Sequence, residues 1–303
     1  MRKLFRSIYQ VLPFKLPFLR IIRLFKPGHQ ITRHLVFTGK VKVKVDEGGA
    51  FYIQNYGDGI EQGLFWHGIR GWEKHSTHIW MQLARKSKVI FDIGANSGAY
   101  TLLAKTVQPT AELYTFEPVK RIFQRLEENV RINQFQGVHL FHKAVSNQTG
   151  TASIQTSVTG NLYEASLNAD HISNMTHLKK DLQFVHEEIE TITLRDLIEK
   201  ENIRQIDLMK IDVESHEPEV IEGMENWLAT FSPIMLIEVL NQTVAEKLTP
   251  YFPASEYLFY NISEEAGLTE ESNLMPSKTY NFLICPRHKK HLLDGCLPPL
   301  AAK

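Results

Sequence analysis

The 303-residue sequence predicts a doubly wound α/β domain, with a mostly parallel seven-stranded sheet that ends in a C-terminal antiparallel hairpin. Three features point there. From residue 89 onward apolar strands alternate with amphipathic helices; the first strand runs into a glycine-rich turn; and the second strand ends on a carboxylate, Glu117, 25 residues after Asp92. Such alternation gives parallel strands joined by right-handed crossovers. The ligand of such a sheet sits beyond the carboxyl ends of its strands.

Residues 1–26 hold seven basic residues (Arg2, Lys3, Arg6, Lys15, Arg20, Arg23 and Lys26) and no acid, interleaved with Leu4, Phe5, Ile8, Phe14, Phe18, Ile21, Leu24 and Phe25. This basic amphipathic segment suits peripheral contact with an anionic membrane, or packing on its own domain or a twin subunit. Pro13 and Pro17 are expected to break it into short pieces. Val41, Val43 and Val45 alternate with Lys42 and Lys44 ahead of Gly48-Gly49 and Phe51-Tyr52-Ile53, which predicts a hairpin. Trp72, Ile79, Trp80 and Leu83 lie near helical spacing and predict a lead-in helix before the strand that ends at Asp92.

The core follows as strand 89–93, helix 98–107, strand 112–116, helix 119–132 and strand 138–142. The second of these helices places Val119, Ile122, Phe123, Leu126 and Val130 on one face, as a helix covering a sheet does. A second half resumes with a short helix near 193–199, strand 206–211, helix 217–230 and strand 234–239. Strands 257–262 and 280–285, separated by a polar loop, make the closing hairpin. This order divides the chain into an arm, hairpin and lead-in helix (1–84), the main domain (85–290) and a tail (291–303).

Composition excludes several classes. With 43% hydrophobic and 22% charged residues the chain is expected to fold by itself. Lys+Arg and Asp+Glu both number 34, so no global positive field favours a nucleic-acid partner. Cys285 and Cys296 are the two cysteines and lack the spacing of a zinc site or a disulfide framework. No run reaches the roughly 18 apolar residues of a membrane span, and no cleavage signal is visible near the start. A cytoplasmic location is the expected default.

Two motifs carry chemistry. In Asp92-Ile-Gly-Ala-Asn-Ser-Gly98 the glycines permit a tight turn, but the spacing is not the G-x-G-x-x-G that seats a pyrophosphate. A ligand without a diphosphate fits better. Glu117, in Phe116-Glu-Pro118, stands where a carboxylate accepts hydrogen bonds from both hydroxyls of a ribose. Its bland alternative is a carboxylate that only stabilises the next helix. The second motif, Lys210-Ile-Asp-Val-Glu-Ser-His-Glu217, delivers Asp212, Glu214, His216 and Glu217 to a strand end, and Glu238 closes the strand at 234–239.

These motifs, in this order, resemble the FkbM family of S-adenosylmethionine-dependent methyltransferases over about residues 85–285. The resemblance implies a Rossmann-like methyltransferase fold and S-adenosylmethionine as cofactor. It assigns Asp92, Gly94, Asn96 and Gly98 to the methionine part, Glu117 to the ribose and Ala144 to the adenine border, with Ala95 and Pro118 in the same site. It further implies O-methylation of a hydroxyl on a sugar, a glycan or a polyketide-like small molecule. Ser215 stands where the family usually has glycine. Within this reading His216 or Asp212 accepts the hydroxyl proton, while Glu214 and Glu238 orient acceptor or base. No resident metal is expected, although the carboxylates offer oxygen ligands to a magnesium-like ion.

Three rivals remain. A nicotinamide-dependent oxidoreductase needs the missing glycine pattern, and a nucleic-acid or protein methyltransferase needs a local acceptor surface. A non-catalytic cofactor-binding protein is opposed by the retention of Gly94, Gly98 and Glu117.

Overall fold

The structure is a computed structural model; it describes residues 15–157 without 33, 47 and 58, then 165–166, 184–276 and 279–297. The chain divides into two compact units, Met1–Trp72 and Glu73–Lys303. The lead-in helix falls within the second.

In the first unit, helix α1 spans Lys15–Leu24 and a single turn, α2, spans His29–Thr32. Pro17 lies in the first turn of α1, where no intrahelical N–H bond is required, so the helix continues past the residue expected to break it. Pro13 and the rest of residues 1–14 lie outside the described residues. The expected hairpin is present: β1 (Gly39–Lys44) pairs antiparallel with β2 (Ala50–Asn55), Val41 opposite Ile53 and Val43 opposite Phe51. All four of these side chains are buried, while Lys40 reaches over the Tyr52 ring at 4.4 Å on the other face. Helix α3 (Gly59–His67) adds Phe65, whose ring meets Phe37 edge-on at 4.6 Å.

The second unit opens with α4 (Lys74–Ala84), β3 (Val89–Ile93), α5 (Ala99–Val107), β4 (Glu112–Phe116), α6 (Lys120–Asn133) and β5 (Val138–Phe141). A small sheet follows, made of β6 (Ala144–Val145), β7 (Gly150–Ser157), β8 (Ala165–Ser166) and β9 (Phe184–Ile192) in the order β6-β9-β7-β8. Then come α7 (Leu194–Lys200), β10 (Leu208–Ile211), α8 (Glu217–Glu222), α9 (Asn226–Phe231), β11 (Ile234–Glu238), α10 (Gln242–Leu248), β12 (Tyr257–Ser263), β13 (Gly267–Glu271) and β14 (Asn281–Pro286).

The main sheet has eight strands in the order β13-β12-β14-β11-β10-β3-β4-β5. The five from β11 to β5 are parallel, and β14, β12 and β13 are antiparallel. This is the doubly wound arrangement expected, with one strand more. The additional strand, β13, is a short edge strand, Gly-Leu-Thr-Glu-Glu, whose polar composition reads as a loop. The expected helix 217–230 is two helices, because Glu225 adopts φ 50° and ψ −130° between them. Thr193 caps α7 by accepting the Asp196 N–H at 3.0 Å, and Asn241 caps α10 through Val244 at the same distance.

Register divides the sheet's rows between its two faces. Phe116, Ile93, Ile211 and Ile237 lie side by side, as do Tyr114, Phe91, Met209 and Met235, and both rows pack into one apolar core with Leu194, Leu197, Val220 and Ile221. The intervening row reads Thr115, Asp92, Lys210, Leu236, three polar side chains in the middle of a buried sheet. That row turns to the other face, toward α5.

Trp80 of α4 is buried and donates Nε1–H to the Tyr100 carbonyl at 2.9 Å. Glu264, just after β12, receives the N–H groups of His75 and Ser76 at 2.7 and 3.1 Å and the Ser76 hydroxyl at 2.6 Å. A carboxylate at a helix N-terminus satisfies donors that have no partner within the helix. Replacing Glu264 by Ala is expected to cost about 1.5–3 kcal/mol, the worth of hydrogen bonds to a charged group, read as a lower urea midpoint at unchanged slope.

Candidate active site

The carboxyl ends of β3, β4, β10 and β11 bring together the segments after residues 93, 116, 211 and 237. The first turn folds back over β4: the N–H groups of Gly94 and Ala95 both donate to the Phe116 carbonyl, at 3.1 and 2.9 Å. Gly94 sits at φ +80°, and a Cβ there would lie 1.9 Å from the Asp212 carbonyl oxygen. Gly98, at φ +92°, would meet Leu126 at 2.6 Å. Both glycines are thus demanded by the chain's own packing. Their retention does not by itself argue against a non-catalytic protein, contrary to the sequence reading.

The other residues of the turn have separate tasks. Ala95 packs its methyl against Leu126 and Val130, so toward a ligand it offers backbone only. Asn96, at φ +53°, accepts the Ser97 N–H through its own side chain at 2.7 Å. Its own N–H donates to Glu117 Oε2 at 3.1 Å, and Val119 N–H donates to Oε1 at 2.9 Å. Glu117 therefore joins the glycine turn to the start of α6. Each carboxylate oxygen accepts more than one bond, so acceptor capacity remains. Burial pushes Glu117 up to about 7, against the pull of the two N–H groups. Pro118 follows half-buried, and Ala144 lies in an apolar cluster with Val119 and Ile122, beside the Glu117 segment.

Asp92 is buried and takes the Thr101 hydroxyl on Oδ2 at 2.6 Å, while Oδ1 meets no donor among the described residues. Burial raises it to about 6; Thr101 and Lys210 work the other way. Lys210, beside it on β10, is 2% exposed and donates to Asp212 Oδ2 at 2.8 Å. Its ammonium also lies 5.0 Å from the centre of the Tyr100 ring. Burial alone would lower its proton affinity, but Asp212, Glu73 and Glu238 outweigh that and hold it above the ordinary lysine value. Tyr100 in turn donates its hydroxyl to Glu73 at 2.5 Å, and burial raises Glu73 to about 7.

At the mouth, oxygens of Asp212, Glu214 and Glu238 all lie within 4.8 Å of one another, the spacing of a ligand set for a hard cation. Burial, then Asp212 and Glu214, raise Glu238 well above the usual carboxylate value. His216 is not part of this cluster. Its Nε2 sits 3.0 Å from Ser146 Oγ and its Nδ1 3.6 Å from Glu219, and burial lowers its proton affinity. Glu217 turns inward instead, accepting the N–H groups of Val213 and Ser215 at 3.1 and 3.3 Å. Glu214 and Ser215 stand at φ +56° and +74°, the left-handed region that favours glycine.

Sequence reasoning thus found the mouth carboxylates but missed Lys210, Tyr100 and Glu73. A charged residue within the apolar run Leu208–Ile211 was a usable signal, since a lysine there needs a buried partner. Glu73 offered none.

The Methyltransferase FkbM domain model matches residues 92–264. Over 160 residues the chain is 30% identical to a 31-O-demethyl-FK506 methyltransferase of Streptomyces tacrolimicus, covering 47% of this chain and 61% of that protein. It is 29% identical over 173 residues to a 2-O-methyltransferase of Sinorhizobium fredii (55% and 70% covered) and 27% identical over 171 residues to a hexuronic acid methyltransferase of Haloferax volcanii (56% and 63%). The chain spans 59–70% of the length of the curated relatives it matches. Among solved structures, a methyltransferase FkbM of Methylobacillus flagellatus aligns with TM-score 0.43 and 14% identity, over 65% of this chain and 43% of that one.

Two outcomes test the site's energetics. Lys210→Met leaves buried carboxylates uncompensated and is expected to cost about 3–5 kcal/mol near neutral pH. Asp92 and Glu73 are raised, so the stability of their protonated forms is present below the ordinary carboxylate pKa and lost as pH rises through about 6 to 7. The Lys210→Met deficit should therefore shrink at mildly acidic pH, and denaturant melts at two pH values would read it. Ser215→Gly removes a left-handed penalty of about 1–2 kcal/mol and is expected to raise the melting temperature.

Proposed function

The chain belongs to the FkbM methyltransferase family, and from that premise we propose that it transfers a methyl group from S-adenosylmethionine to a hydroxyl of a sugar, a glycan or a polyketide-like small molecule. The observation that carries this reading is Glu117. It is a buried carboxylate at the end of β4, already held by two backbone N–H groups and still able to accept donors. Asp92 Oδ1 is a second buried acceptor, at the end of β3. An amino group and a pair of ribose hydroxyls are the donors such atoms need, so these residues fit the cofactor. Glu117 would hold the ribose, the turn from Asp92 through Gly98 the methionine part, and Ala144 with Pro118 the adenine border.

S-adenosylmethionine supplies a methyl group already activated by its sulfonium. What remains for this chain is to align the acceptor oxygen and take its proton. Glu238 suits proton acceptance, because burial and the neighbouring Asp212 and Glu214 raise its proton affinity. Asp212, which takes the Lys210 ammonium on Oδ2, has oxygen lone pairs left and with Glu214 accepts hydrogen bonds from the acceptor. His216, turned to Ser146 and Glu219, positions the loop rather than the substrate. A mouth lined by carboxylates repels a phosphate backbone and welcomes hydroxyl donors, which favours a polyol over a nucleic acid. The relatives named for hexuronic acid, 2-O and 31-O methylation point the same way.

Calorimetric titration with S-adenosylmethionine and S-adenosylhomocysteine, with NADH as control, tests the cofactor. Hydroxyl donors prefer the ionised form of Glu117, so with its carboxyl near 7 the affinity should rise roughly tenfold between about pH 6 and pH 8. Glu117→Gln should bind weakly and without that pH dependence. Absence of binding by the wild type would remove the assignment. With an acceptor found, Glu238→Gln is expected to lower kcat by about 10²–10⁴ while leaving cofactor affinity unchanged, and thorough chelation to leave activity intact.

A further inference from the structure

Exposed large apolar side chains concentrate in one short stretch. Phe18, Ile21, Leu24, Phe25, Ile31 and Val36 stand out within residues 18–36, against only Val185, Met275 and Tyr280 elsewhere among the described residues. Scattered exposed hydrophobes are ordinary, whereas a contiguous set marks an interaction surface.

Helix α1 has two apolar faces. At about 100° per residue, Leu16, Leu19 and Arg23 share one side. Leu19 there is fully buried, and the Arg23 guanidinium lies 5.4 Å from the centre of the Phe65 ring. Phe18, Ile21, Leu24 and Phe25 share the opposite arc, and their exposure climbs from 38% through 60% and 79% to 81%. The turn continues past the helix end, since Phe25 and Lys26 N–H donate to Ile22 and Arg23 carbonyls at 3.0 Å each. Exposed Arg20 borders the apolar arc and exposed Lys26 follows it.

Charge selects the occupant. The first 26 residues carry seven basic side chains and no acid, while the whole chain balances 34 against 34. A second copy docking on this face would bring the same positive charge and be repelled. An anionic bilayer offers both complements, phosphates for the cations and an acyl boundary for the apolar tips.

We propose that α1 and the turn after it form a peripheral docking surface for an anionic membrane, with Ile21, Leu24 and Phe25 entering the headgroup boundary and Arg20 and Lys26 meeting lipid phosphates. The surface lies outside the family domain and is independent of the acceptor.

Co-sedimentation of the full chain with phosphatidylcholine vesicles, with and without phosphatidylserine, tests it. Binding is expected only to the mixed vesicles, fading as salt shortens the Debye length to about 3 Å at 1 M. Removing Arg20 or Lys26 as alanine should weaken it roughly fivefold per cation. The triple variant Ile21→Ser, Leu24→Ser, Phe25→Ser should weaken it about tenfold or more, with an unchanged melting temperature. Binding that the triple variant retains, or no binding to the mixed vesicles, would overturn the proposal. So would concentration-dependent dimerisation without lipid that the triple variant abolishes, which would give the face to a second copy.

Discussion

One buried ammonium organises the site. Lys210 sits in the middle of a parallel sheet, 2% exposed, with Asp92 beside it in register and Asp212 two residues on. Desolvating a lysine costs several kcal/mol, and the structure offsets that with carboxylates placed on several elements. Asp212 comes from the same strand, Glu73 from just before α4 and Glu238 from the end of β11. Their positions are coupled through one charge. Moving any of them disturbs the compensation of the rest, so the mouth carboxylates are energetically coupled before any ligand arrives.

The glycine-turn side is organised differently, by backbone. Two N–H groups of the glycine turn go to the Phe116 carbonyl, and a third, that of Asn96, goes to Glu117. Gly94 allows this because its missing Cβ is replaced by the Asp212 carbonyl. The two halves of the site therefore touch through main chain, β3's turn against β10's end. Glu117 fills the bland role and leaves room for the proposed ligand role at once. Its bonds to Asn96 and Val119 shape the turn and start α6, and its remaining lone pairs are what a ribose would use.

Much of this was legible because the physics is local. Strands such as Ile234–Glu238 are apolar up to their last residue, and the hydrophobic face of α6 repeats with helical period, so both announce themselves. The small sheet did not. β7 and β9 are mostly polar, with Ile154, Ile189 and Ile192 their buried large apolar residues, and their eight- and nine-residue lengths carry no clear alternation. The surroundings of His216 were hidden for a similar reason. Sequence spacing puts it four residues from Asp212, but left-handed angles at Glu214 and Ser215 turn the chain, and the imidazole ends on Ser146, just after β6. Neither a turn's handedness nor a partner 70 residues away is visible in a motif.

Net charge was the least informative property of all. The balance of 34 and 34 hides a separation, in which seven cations without an acid occupy the first 26 residues and the remainder is correspondingly acidic. Within that remainder the acidity is again uneven, with Asp212, Glu214 and Glu238 gathered at one mouth. Fields fall off within a Debye length of about 8 Å in physiological salt, so a partner senses the local cluster and not the sum. The same chain can thus present cations and apolar tips at its arm and hydrogen-bond acceptors at the mouth of its sheet. Under the proposed reading, an acceptor entering that mouth is selected by the hydrogen-bond donors it brings to those carboxylates, a local requirement that the fold alone does not set.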